Sequence, residues 1–258
     1  MARAAVPGRL NWRVATLAQA RDETATARTL VLDVPGWPGH LAGQHVDVRL
    51  TAEDGYSTQR SYSIASAPSA HSAASDGTRL ELTVQRIADG EVSPYLTEIL
   101  APGDPLELRG PIGGWFVWNP ESLAPLLLLA GGSGIVPLMS IIRAHDDVKS
   151  QVPVRLIYSV RSPADAIYAS ELSERASSSP LTVTCLYTRA APLGARSGRV
   201  NAGIIAEVTS AAPAMLPDDK PAAFACGPSG FVEAAASLLV DAGHDPATIK
   251  TERFGPTS

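Results

Sequence analysis

The sequence predicts two domains of different class: an antiparallel β-barrel followed by a parallel-sheet α/β unit. Three observations carry this. The first half holds short strands with strict apolar–polar alternation, separated by Pro, Gly and Asp turns. The second half opens on a continuous apolar run, Leu126-Leu127-Leu128-Leu129, as required of a strand buried on both faces. From there strands and helices alternate, the pattern of βαβ units. At 258 residues, with 45% hydrophobic and 18% charged residues, the chain can bury a substantial core.

In the first half, alternation marks strands at Trp12–Leu17, Thr29–Val34, Gly43–Leu50, Leu80–Ile87 and Leu106–Gly110. One short helix fits Ser93–Leu100, with Pro94 in its first turn. The small, polar segment from Ala70 to Gly77 is expected to be a mobile loop. In the second half, the apolar strand is followed by a helix over Val136–Ala144. A strand at Val154–Tyr158 and a helix near Ile167–Ala176 come next. A third strand covers Leu181–Leu186 and a fourth Ala222–Cys226. A helix over Ser229–Ala242 then stops at Gly243. Asn119-Pro120-Glu121-Ser122 is the most linker-like stretch, so the domains are expected to span 8–119 and 120–258.

Composition narrows the function. The net charge is −5, and no basic run or basic–aromatic stripe is present, which argues against nucleic acid. Two cysteines without CxxC spacing cannot supply a usual iron–sulfur cluster, a zinc knuckle or a disulfide framework. The five histidines are scattered, and no metal site is expected. Met1–Arg13 has no apolar core of signal-peptide length. The most apolar run, Ala124–Ala130, falls well short of the roughly 20 residues of a membrane span. A cytoplasmic, reducing setting without membrane contact is therefore expected.

Four motifs carry chemistry. Arg60-Ser61-Tyr62-Ser63 places Arg60 and Tyr62 on one face of a strand. A guanidinium pairs with phosphate and a phenol stacks on a flat heterocycle, a combination suited to a nucleotide cofactor. The same residue types also make an ordinary half-exposed β face. Asp89-Gly90-Glu91-Val92-Ser93-Pro94 opens the short helix, where free N–H groups attract a pyrophosphate and Ser93 is placed to cap. Gly131-Gly132-Ser133-Gly134-Ile135-Val136-Pro137 lies between a buried strand and a helix. Its spacing resembles a dinucleotide fingerprint that ends in Pro instead of Gly. Cys226-Gly227-Pro228 repeats the arrangement at a later strand end, where ligands bind in an open parallel sheet. Arg161, Arg189 and Arg199 follow the second and third strands of the α/β half. Arginine matches a phosphate dianion through paired hydrogen bonds, which favours NADPH over NADH.

The order RSYS, a glycine-then-serine helix start, GGSGIVP, CGP and finally Glu252-Arg253-Phe254-Gly255 resembles the ferredoxin–NADP reductase superfamily from about Trp12 to Gly255. The resemblance implies a flavin-binding barrel and an NAD(P)-binding domain, with FAD rather than FMN. It implies that Arg60 pairs with the flavin pyrophosphate, Tyr62 stacks on the ring and Ser63 bonds near N5. It places Val84 and Arg86 beside the cofactor, with Ser61 in the same motif. It has Glu91, Val92 and Ser93 present donors to the diphosphate. Ser133 and Gly134 would contact the pyridine nucleotide. Cys226, with Gly227 and Pro228, would lie near the nicotinamide, and Arg161, Arg189 and Arg199 near its 2′-phosphate.

Phe254 is a candidate cover for the flavin ring, although the chain runs on past it. Ser63, Cys226 and Glu252 are the candidate catalytic residues, Cys226 as an orienting group and Glu252 in proton transfer. A carboxylate this near a chain end is also commonly solvated. The implied activity is reduction of FAD by NADPH, in a stand-alone module without a fused ferredoxin domain. Electrons would pass to a separate ferredoxin or iron–sulfur protein serving an oxygenase. Direct reduction of a quinone or free flavin, and a low-turnover electron-transfer or regulatory subunit, are the alternatives.

Overall fold

The computed structural model describes residues 10–68, 77–210 and 221–255. The loop expected from Ala70 onward lies outside the described residues up to Gly77, which begins a strand.

The amino-terminal half forms six antiparallel strands: β1 (Trp12–Thr24), β2 (Ala27–Pro35), β3 (His45–Thr51), β4 (Ser57–Ser63), β5 (Gly77–Gln85) and β6 (Pro105–Ile112). Their order is β4-β3-β6-β1-β2-β5. The two outer strands meet where Ile64 bridges Leu82 and the Ala65 N–H donates to the Glu81 carbonyl at 2.7 Å, closing the sheet into a barrel. Alternation dictates the interior: Leu30, Leu32, Val46, Val48, Leu80, Leu82, Val84, Leu106 and Leu108 fill it. The short helix forms at Tyr95–Ile99 and seats Leu96 in the same core. Ser93 does not cap it. Its Oγ accepts the Ile87 N–H at 3.0 Å, so it folds the preceding loop back on itself.

The carboxyl-terminal half is a five-stranded parallel sheet of β7 (Leu126–Gly131), β8 (Val154–Val160), β9 (Leu181–Tyr187), β10 (Ala222–Pro228) and β11 (Lys250–Phe254). The order β11-β10-β7-β8-β9 puts the change of winding direction between β7 and β10. Helices α1 (Ile135–Asp147) and α2 (Ala169–Ser178) share one core with Leu126, Leu128, Leu156 and Phe224. Helices α3 (Ala202–Ser210) and α4 (Ser229–Asp241) cover Leu127, Leu129, Ile157 and Ala225 on the other face. Every residue of β7 is buried, which is why its sequence shows no alternation. Truncating one of its fully buried leucines, such as Leu128, costs about 2–5 kcal/mol.

Two elements, α3 and β11, lie where no helix or strand is expected from the pattern. β11 is a five-residue edge strand, Lys-Thr-Glu-Arg-Phe, with too few apolar residues to register as a parallel strand. The domains share apolar surface: Ala42, Ala65, Phe116 and Trp118 join the core beneath α1, and Phe116 meets Phe224 edge-on at 5.4 Å.

Candidate functional site

The change of winding between β7 and β10 creates a crevice at the carboxyl ends of these strands, the place where open α/β sheets take ligands. The loop after β7 and the loop after β10 touch there. A Cβ on Gly134 would meet the Cys226 carbonyl oxygen at 2.0 Å, so glycine is required for the two loops to approach. That is a different reason from ligand contact: the Gly134 α-carbon faces Cys226. Gly132, at φ +55°, faces open space and is the loop glycine with room beside it. Ser133 is half-buried next to it. Pro228 is exposed at the end of β10 and immediately precedes α4.

Parallel pairing aligns Cys226 on β10 with Glu252 on β11. Barrel strand β4 delivers Ser63 to the same place. Ser63 is buried, and its Oγ has no hydrogen-bond partner among the described residues; nor has the buried Oε2 of Glu252. Burial pushes the Glu252 carboxyl up to about 7, and the neighbouring Ser63 hydroxyl opposes the rise. Cys226 is fully buried; desolvation, then the Glu252 charge, hold its thiol well above the ordinary range. A thiol so placed is protonated and inert as a nucleophile. The structure thus brings the three candidate catalytic side chains together, with Glu252 half-buried and its Oε2 shielded.

The rest of β4 leads away from this point. Tyr62 is half-buried at the margin of the barrel core, and desolvation raises its phenol to about 12, with Arg60 opposing. Ser61 faces the other way and donates to Asp47 at 2.7 Å. Arg60 is largely exposed. It donates to Thr58 Oγ1 and the Gln59 carbonyl at 3.1 and 2.7 Å, and lies 3.6 Å from Glu91. The Glu91 carboxylate also accepts from Tyr56 and Thr58, each at 3.2 Å. Val84 and Val92 are buried in the barrel core. Arg86 is paired with Glu98.

Arg161 and Arg189 meet at the carboxyl ends of β8 and β9, where the Arg189 N–H donates to the Arg161 carbonyl at 2.9 Å. Arg199 follows Gly198, whose N–H donates to the Tyr187 carbonyl at the end of β9 at 2.9 Å. All three are exposed, and none forms an ion pair with a described residue. Phe254 is half-buried at the end of β11 and packs against the core beneath α1.

Fold and crevice define a class: a two-domain oxidoreductase joining a barrel to a pyridine-nucleotide-type sheet. Two family models match in tandem. The oxidoreductase FAD-binding domain covers residues 14–117, and the oxidoreductase NAD-binding domain covers residues 128–237. The chain belongs to the ferredoxin–NADP reductase superfamily. The glycine betaine monooxygenase reductase subunit of Chromohalobacter salexigens is 33% identical over 257 residues, 97% of this chain and 65% of that protein. The chain therefore spans less than two-thirds of the length of this relative.

Among solved structures, the flavohem-like FAD/NAD binding domain of a Vibrio cholerae nitric oxide dioxygenase superposes with a TM-score of 0.78 at 25% identity. The match covers 95% of this chain and 99% of that one. A Neisseria gonorrhoeae ferredoxin NADP+ reductase with bound FAD and NADP has the same fold, with a TM-score of 0.77 at 24% identity. It covers 94% of this chain and 98% of that one. No helix among the described residues is long and apolar enough to cross a membrane.

Proposed function

We propose that this chain is an NADPH-dependent FAD reductase that passes electrons to a separate ferredoxin or iron–sulfur protein serving an oxygenase, in the cytoplasm. The observation that carries the reading is the meeting of Ser63, Cys226 and Glu252 where the barrel reaches the crevice. Ser63 Oγ and Glu252 Oε2 lie close together, shielded and without a partner among the described residues, and a polar ligand edge at this point would satisfy them. The residues present fit a flavin, which Ser63, Tyr62 and Arg60 would hold. When bound, the flavin supplies two-electron exchange with NAD(P)H and onward transfer of electrons.

This chain's residues divide the remaining work. Arg60 would hold the phosphates, and Tyr62 would cover the ring. Ser63 Oγ orients the reacting edge. Glu252 Oε2 holds a proton that can be given or taken near neutral pH, where a carboxyl with a pKa of about 7 works best. Cys226 stays neutral and packs beside the nicotinamide. Arg161, Arg189 and Arg199 are exposed and would present guanidinium groups to a 2′-phosphate, which is the basis for preferring NADPH. The oxygenase partner rests on the relative from Chromohalobacter salexigens, which is named as a monooxygenase reductase subunit.

The test is anaerobic titration of the purified protein with NADPH and NADH, then turnover against ferredoxin, a quinone, free flavin and ferricyanide. The expected protein is yellow, is reduced by NADPH, and reduces cytochrome c only when ferredoxin is added. A colourless protein that takes up neither FAD nor FMN would remove the whole reading. Equal cytochrome c reduction without ferredoxin would remove the partner.

A further inference from the structure

We infer that Arg143 is a positioning residue that sets the geometry between the two nucleotide-binding halves. It does so by clamping the helix that begins at the crevice onto the barrel strands that end there. The inference rests on the proposed reductase function for its catalytic consequence, but not for the clamp itself.

Helix α1 starts beside Cys226, and Arg143 lies nine residues beyond Gly134. At 1.5 Å per residue that is roughly 13 Å along the axis. There the Arg143 side chain is buried and leaves its own domain. Nη1 donates to the Ala65 carbonyl and to Glu81 Oε2, both at 2.9 Å, and both acceptors belong to the barrel. Nε and Nη2 donate to the two carboxylate oxygens of Glu171 on α2 at 2.9 and 2.6 Å. The guanidinium also lies 5.1 Å from the centre of the Tyr168 ring, whose hydroxyl donates to Thr83 on β5. Ala65 is two residues past Ser63. One side chain therefore ties the chain leaving the barrel's candidate catalytic serine to the helix leaving the crevice. Ser140, one turn earlier on α1, adds a 2.7 Å bond to the Ser66 carbonyl.

The surrounding contacts explain why a charge is placed here. Ala42, Ala65, Phe116 and Trp118 give the interface its apolar area, but apolar burial is non-directional and tolerates sliding. A planar fork with four fixed acceptors does not. Burying a charge is a poor device for stability alone, since apolar replacements of similar volume commonly match it. The carboxylates are also not left waiting for Arg143: Glu81 is held by Arg21 at 3.0 Å and Glu171 by Arg175 at 2.8 Å. Removing Arg143 thus leaves both acids paired and removes the cross-domain fork.

The experiment uses the full chain with exposed Gln19 on β1 and Ala234 on α4 changed to spin-labelled cysteines in a Cys185→Ser background. Pulsed electron resonance then reads the distance distribution between domains. The native clamp should give one narrow distribution. Arg143→Met, and independently Glu81→Gln, should broaden it, and Arg143→Lys should not restore it because ammonium lacks the fork. An unchanged distribution in both Arg143→Met and Glu81→Gln, or full restoration by lysine, overturns the clamp.

In the FAD-loaded protein, Arg143→Met should retain flavin and the KM for NADPH while the rate of flavin reduction falls about tenfold to a hundredfold, the cost of an ångström-scale misplacement. A broadened distribution with a reduction rate within about twofold of native overturns the positioning role. If the native protein is reduced by neither nucleotide, the proposed function fails, and the distance measurement still decides the clamp.

Discussion

The stretch of β4 from Arg60 to Ser63 covers three residue steps, roughly 10 Å, and its two ends have opposite chemistry. Arg60 stands at the open end, exposed, and shares Glu91 with Tyr56 and Thr58. Ser63 stands at the closed end, buried, beside a carboxyl pushed up to about 7. At the open end water can replace any lost partner, so each contact contributes modestly. At the closed end nothing replaces a lost partner, so small changes have large effects. Binding residues can be spread along a surface strand, whereas proton-handling residues require the two domains to close over them.

The largest effect should come from the closed end. Glu252→Gln is expected to lower turnover on the order of a hundredfold and to abolish a pH inflection near 7, read from kcat against pH. Its effect on stability should have a definite sign. The folded carboxyl sits at about 7 against an ordinary 4.5, so the folded state binds more protons in that window. Native stability therefore declines as pH rises from about 4.5 to 7, by on the order of 3 kcal/mol from this group. Glu252→Gln should remove that decline in denaturant melts at pH 5 and pH 8. A pH-independent gap between native and variant would show that the carboxyl is not shielded.

Ser63→Ala should come next, with turnover lowered about tenfold to a hundredfold and flavin content unchanged, measured by absorbance per chain. A proportional loss of flavin would mean that Ser63 belongs with Arg60 as a binding residue, and the contrast between the ends would break. Arg60→Ala should weaken flavin binding about tenfold, measured by fluorescence titration, with turnover near native once FAD is saturating. Arg161→Ala with Arg189→Ala should raise the KM for NADPH about tenfold and leave that for NADH within about twofold. The smallest effect should be that of Glu91→Gln. An exposed pair such as Arg60–Glu91 contributes only about 0–1 kcal/mol, so flavin affinity should shift by less than about fivefold.

The contrast also separates what could be read along the chain from what could not. The barrel strands follow from alternation, because side chains on an extended chain face opposite sides and one side must be apolar. The parallel sheet follows from the Leu126–Leu129 run and its flanking glycine loop. RSYS, GGSGIVP and CGP could be singled out as motifs, since each is contiguous. The side-chain contacts of Val84 and Ser93 could not be read this way: Val84 packs in the barrel core and Ser93 Oγ accepts from the Ile87 N–H. The close approach of Gly134 to the Cys226 backbone is likewise invisible in the sequence, because the two loops are more than ninety residues apart.

The features legible along the chain are therefore local: the two fold classes, the positions of most strands and loops, and the residue types capable of binding a flavin and a pyridine nucleotide. Only the tertiary structure decided that Glu252 is shielded, that its short charged segment pairs beside β10, and that Ser63, Cys226 and Glu252 converge. It alone decided that Arg143 reaches from α1 into the barrel. The physical reason is that periodicity and turn chemistry are carried by neighbouring residues. Desolvation depends instead on what arrives from elsewhere, and here it arrives from a second domain more than a hundred residues along the chain.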